Sequence, residues 1–83
     1  MARLLFFGKL ADAAGARMRE IPLDDATQTV GDLVAALSDK EAALGDALEE
    51  KSVRVIVNEK MAARDAAITD GDEIAFLPPV SGG

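Results

Sequence analysis

Four residue types that carry much of protein side-chain chemistry are missing from this sequence: in 83 residues there is no cysteine, histidine, tryptophan or tyrosine. Without Cys and His, the chain cannot supply a thiol nucleophile, an imidazole base or a thiolate–imidazole zinc site. The seven glycines form neither a P-loop nor a G-x-G-x-x-G pattern, so no phosphate cradle is visible. Basic residues are also scarce, nine against 15 acidic ones, for a net charge of −6. Binding nucleic acid requires clustered Lys and Arg to neutralise phosphates, so we expect no nucleic-acid partner. No apolar run approaches the ~18 residues of a membrane span. The opening MARLLFFGKL breaks at Gly8-Lys9, too soon for a signal peptide's apolar region. These absences predict a cytoplasmic chain with no membrane contact, metal or bound cofactor, and no independent active site.

What is present is a core. At 49% hydrophobic residues the chain is too apolar to stay disordered, and its length allows one domain. Arg3–Phe7 is a short apolar run closed by Gly8, and Ala16–Leu23 reads as a second strand that Pro22 pushes toward a sheet edge. Between them, Lys9–Gly15 (KLADAAG) fits one helical turn ending on glycine. Val30, Leu33, Val34 and Leu37 repeat at helical spacing behind Thr29, with Asp32 placed to complete a capping box. Ser38 and Glu41 repeat that capping pattern and open a second helical stretch through Leu44, Ala47 and Leu48, weakened by Gly45. Val53, Val55 and Val57 alternate as a half-buried strand, and Asn58–Ile68 holds a turn, a short strand piece and a loop. Asp70-Gly71-Asp72 reads as turn chemistry rather than a metal loop, since EF-hand spacing is absent. Glu73–Leu77 is the last strand, ended by Pro78-Pro79. This order predicts an α+β fold, a mixed sheet packed on one main helix, with a domain over 1–77 and an extended tail over 78–83.

Side-chain alternation divides the strands into faces. Arg3, Arg54 and Glu73 mark the wet side, which leaves Leu4, Phe6, Ile74 and Phe76 for the core. Leu5, Phe7, Ile56, Ala75 and Leu77 then fall on the nominally exposed face. If their strands are neighbours, these five make an apolar patch at the base of the tail, of the kind that marks a protein interface. The alternative is a sheet that curls and buries part of it.

The tail itself is built in stages. Pro78 and Pro79 are stiff, Val80 and Ser81 act as a spacer, and Gly82 and Gly83 carry no Cβ, so a narrow channel can admit them. Six extended residues reach about 20 Å. A bare carboxylate at Gly83 is unreactive until adenylation gives it a leaving group, after which a sulfur donor or an amine can displace AMP. Gly-Gly alone fits a frayed end equally well. The Pro-Pro stop and the adjacent apolar face favour a working tail.

GDEIAFLPPVSGG, from Gly71 to Gly83, and RLLFFGKLADAAG, from Arg3 to Gly15, resemble the small subunit of molybdopterin synthase, a ubiquitin-like sulfur-carrier family. Ser81 stands where Thr is commoner in that family. The resemblance implies a ubiquitin-like β-grasp fold. It also implies an E1-like adenylating enzyme that uses ATP to activate Gly83, and a sulfur donor that converts the adenylate to a thiocarboxylate. Its implied acceptor is the synthase large subunit, which takes the tail and builds a dithiolene on cyclic pyranopterin monophosphate within a heterotetramer. Phe7 and Leu77 fall where the family contacts its partners. The alternatives are a carrier for thiamine or cysteine biosynthesis, a ubiquitin-like modifier joined to lysines through Gly83, and an interaction module with an inert tail.

Overall fold

Strand β1 (Ala2–Phe6) lies in the middle of the molecule, where burial alternates along it as the sequence pattern requires. The structure, a computed structural model, describes residues 1–79. After β1 come helix α1 (Lys9–Ala14), β2 (Met18–Ile21), α2 (Val30–Lys40), α3 (Ala42–Leu48), β3 (Arg54–Val57), β4 (Lys60–Ala62) and β5 (Glu73–Leu77). The five strands form one sheet in the order β2-β1-β5-β3-β4. β1 and β5 run parallel in the centre, and the other neighbours are antiparallel. The helices cover one face, giving the α+β mixed sheet that the element order predicts, in the β-grasp arrangement that the family resemblance implies.

The core forms where that face meets the helices. Leu4, Phe6, Val55, Ile74 and Phe76 from the sheet meet Leu10 of α1, Val30, Leu33, Val34 and Leu37 of α2, and Leu44 and Leu48 of α3. Phe6 and Phe76 are register partners on the two central strands, and their rings stack 5.6 Å apart. Each fully buried side chain of this size contributes about 1.5–3 kcal/mol through lost apolar hydration.

Local chemistry sets the element ends. Thr29 Oγ1 accepts from Asp32 N–H at 3.1 Å and Asp32 returns an acceptor to Thr29 N–H at 3.2 Å, completing the predicted capping box. Gly15 ends α1 in the left-handed region at φ 75°. Asn58 and Glu59 both take positive φ, 49° and 70°, and turn β3 into β4 through a two-residue hairpin.

Three expectations are corrected. Ser38 does not open the second helix: it lies inside α2, and Glu41 stands before α3 without a side-chain cap. The reason is Gly45, where an added Cβ would sit 2.4 Å from the Ser38 Cβ, so the missing side chain lets α3 pack directly onto α2. β1 starts at Ala2 and stops at Phe6, leaving Phe7 just past the strand, its N–H still donating to Phe76 O at 3.1 Å. The second strand is only Met18–Ile21, since its flanks belong to the approach from α1 and to the Pro22 loop.

Candidate functional site

The helices leave the other side of the sheet open, and an apolar row runs across it. Cα register pairs Met18 with Leu5, Leu5 with Ala75, Ala75 with Ile56 and Ile56 with Met61, one residue from each of the five strands. Alternation places these residues opposite the core set, and none of them packs against the core cluster. β1, β5 and β3 are neighbours, so the condition for a continuous patch is met. Leu5 and Ile56 are half-buried by the row itself. Ala75, expected on the exposed face, is on that face but only 7% exposed, because its short side chain lies between those two larger ones. It is the floor of the patch rather than part of its rim.

The rim is formed by methionines that the sequence reading left out. Met18 is 44% exposed and Met61 is 63% exposed, one at each edge of the row. Parity within single strands could not find them, because β2 is mixed in polarity and β4 is only three residues long. They join the patch through inter-strand register. Methionine's flexible thioether suits a surface that must fit a partner.

Toward the tail, the patch continues through Leu77, half-buried and paired in register with Arg54, and Phe7, which is 47% exposed. In the other direction it ends at a polar row. Arg3 faces Glu20 and Glu73 in register, with Arg3 Nη1 3.8 Å from Glu73 Oε2. The apolar field therefore opens toward the end of the sheet where β5 runs into Pro78.

The exit is held by Gly8. Its backbone sits at φ 55°, ψ −135°, a conformation that favours glycine, and an added Cβ would lie 2.9 Å from Pro78 Cγ. The proline ring thus lies against Gly8, and Pro79 follows, also half-buried. Read along the chain, Gly8 only stops a strand; its place under the tail comes from the parallel pairing of β1 with β5. Val80, Ser81, Gly82 and Gly83 lie outside the described residues.

The acidic turn lies at the opposite end of the sheet. Asp72 accepts from Asn58 Nδ2 at 3.0 Å and from Thr69 N–H at 2.8 Å, and these bonds hold its carboxyl below the usual carboxylate value. Asp70 is lowered by the Leu23 N–H at 3.1 Å and by the N-terminal ammonium at 3.0 Å. Both side chains hold the turn in place. Asp24 likewise accepts from Ala26 N–H at 3.0 Å, and Lys9 Nζ stands 3.8 Å from Glu50. Among the described residues no group of three or more Asp or Glu is arranged to hold a metal ion, and no helix is long and apolar enough to cross a membrane.

A mixed five-stranded sheet closed by helices on one face, with an apolar open face leading to a strand that ends in Pro-Pro, defines a small ubiquitin-like β-grasp protein. The chain belongs to the ThiS family, whose model matches residues 4–83, and with its curated relatives it falls among the ubiquitin-like sulfur carriers of the molybdopterin synthase kind. It is 37% identical to the molybdopterin synthase sulfur carrier subunit of Escherichia coli, over the full length of both chains. It is also 40% identical to small archaeal modifier protein 1 of Haloferax volcanii, over 93% of this chain and 94% of that one. A crystal structure of the Haloferax protein matches with a TM-score of 0.79 at 32% identity, covering 95% of this chain and 97% of that one. A protein–protein complex of subunits 1 and 2 of molybdopterin-converting factor from Helicobacter pylori contains a chain that matches with a TM-score of 0.63 at 25% identity, over 99% and 97% of the two chains.

Proposed function

We propose that this chain is the sulfur-carrier subunit of a molybdopterin synthase, working in the cytoplasm as a protein co-substrate. In the reaction, an E1-like enzyme transfers AMP from ATP to the Gly83 carboxylate and releases pyrophosphate. Sulfur from a donor then displaces AMP, leaving a thiocarboxylate. The tail, Pro78 to Gly83, enters the large subunit and gives its sulfur to cyclic pyranopterin monophosphate. Gly82 lets the backbone pass a narrow channel, and Val80 and Ser81 span the distance from the body. Phe7, Leu77, Leu5 and Ile56, with Ala75 as floor, meet the partner, and ATP is used by the activating enzyme rather than held by this chain.

The observation that carries this reading is the apolar row across the open sheet face, continuous with the base of the tail, in a chain alignable end to end with a sulfur carrier. The 40% identity to an archaeal modifier supports a second reading, in which Gly83 is joined to lysines of other proteins. Intact-mass spectrometry of the chain isolated from its own host separates the two. A gain equal to exchange of one oxygen for sulfur on the last residue supports the carrier. Gly-Gly remnants on lysines of other proteins, without that gain, support the modifier. Deleting Gly83 should abolish dithiolene formation in a synthase reconstituted with pyranopterin precursor while leaving large-subunit binding nearly intact, and retained activity would overturn the assignment of Gly83.

A further inference from the structure

Beside the tail exit stand two basic residues, Lys51 just before β3 and Arg54 at its start, that no salt bridge among the described residues engages. Lys51, Ser52 and Arg54 line a shallow hollow with Pro78 and Pro79, and no carboxylate lines it. Of the seven other basic side chains, four are engaged, while Arg17, Lys40 and Lys60 stand away from this hollow without a salt bridge among the described residues. Arg3 lies near Glu73, Lys9 near Glu50 and Arg19 Nη2 2.9 Å from Glu41 Oε2, while Arg64 donates to Leu48 O at 2.6 Å. Among the described residues, Lys51 and Arg54 have no such acidic partner, and both are exposed.

Their position gives them a role. Arg54 is the register partner of Leu77 and lies two residues before Ile56 on the same open face, so the cations border the apolar patch where the tail leaves it. In a chain of net charge −6, this hollow pairs two cations with no lining carboxylate, so it suits an acidic group better than the chain's average surface does. The same net charge disfavours a polyanion as occupant. The cations stand beside Pro78 and Pro79, where the tail begins, and Gly83 follows four residues later in the sequence.

We infer that Lys51 and Arg54 form a cationic docking site for Asp or Glu side chains that a protein partner presents at the mouth of its tail-receiving channel. The inference deepens the carrier reading and rests on it. Charges at an interface rim act mainly on the rate and salt dependence of association, so the pair steers the tail to the channel while the apolar row holds the complex.

The test measures binding kinetics of the chain to the molybdopterin synthase large subunit from the same organism, at low and high salt. The variants are wild type, the double reversal Lys51→Glu/Arg54→Glu, and Arg54→Lys as a charge-retaining control. The double reversal should lower the association rate about tenfold at low salt and flatten its salt dependence, with dissociation and melting temperature near wild type. Arg54→Lys should stay near wild type. An unchanged association rate and salt slope in the double reversal would overturn the docking site and leave the carrier reading standing. NMR titration of the isolated chain checks the other occupant: a Gly83 carboxylate depressed in wild type and restored in the double reversal would mean the cations hold the chain's own terminus, which also overturns it. Wild type failing to bind the large subunit at all would remove the carrier reading and the docking site together.

Discussion

Gly45→Ala opposes two effects of known size, and the structure decides between them. Inside α3, Ala is a better helix former than Gly by about 1 kcal/mol, so propensity alone predicts stabilisation. The added Cβ, however, would fall 2.4 Å from the Ser38 Cβ and Oγ and 2.5 Å from the Ser38 Cα. The hydroxyl can rotate away, but Cβ and Cα move only if α2 moves, and carbon atoms need about 3.5–4 Å. The two helices must part by roughly 1 Å, loosening Leu44 and Leu48, which are fully buried between them and the sheet. Overpacking of this severity belongs at the upper end of about 1–3 kcal/mol, so the net loss is about 2 kcal/mol. In a domain of this size that lowers the melting temperature by roughly 8–16 °C, measured by calorimetry or far-UV circular dichroism. Ser38→Gly in the same background should recover part of the loss. Because α3 lies on the side of the sheet away from the apolar row, sulfur loading below the transition should match wild type. A melting temperature equal to or above wild type would refute the packing argument.

Phe76→Ala should remove about 3–5 kcal/mol of stability, since the ring is fully buried against Phe6, and chemical denaturation will read it. Phe7→Asp and Leu77→Asp should instead weaken large-subunit binding more than they destabilise the monomer; equal losses in both assays would place these residues in the core. Gly8→Ala should shift the base of the tail, because φ 55° is strained for alanine and the Cβ meets Pro78 Cγ at 2.9 Å; sulfur transfer should fall, in a transfer assay, at a temperature where the variant is folded. Asp70 and Asp72 are both held below the ordinary value of 3.8, so the stability they supply is present above that value and is lost as pH falls through their lower folded values. Acid unfolding should therefore steepen below pH 3.8, and Asp72→Asn should lessen that dependence.

Legibility followed the range of the interactions. The capping box at Thr29 and Asp32 spans three residues and was readable directly, as was the strand end at Pro78. The local pattern at Ser38 suits a cap, whereas its place inside α2 goes with a contact to Gly45 across two helices. Leu5, Ile56 and Leu77 were placed on the correct face by parity, which is a property of each strand alone. Met18 and Met61 were not, because their membership in the row exists only through pairing between strands distant in sequence.

By itself, the sequence determined which residues alternate, which caps start α2, the lack of thiol or imidazole chemistry, and the tail's stiff-to-bare order of residues. These follow from side-chain identity and short-range geometry. Only the tertiary structure decided that one row crosses all five strands, that Ala75 is its covered floor, that Gly8 supports Pro78, and that Lys51 and Arg54 stand together at the exit. The physical reason is strand pairing: the parallel contact of β1 with β5 joins the two ends of the chain, and no local pattern encodes which strands will become neighbours.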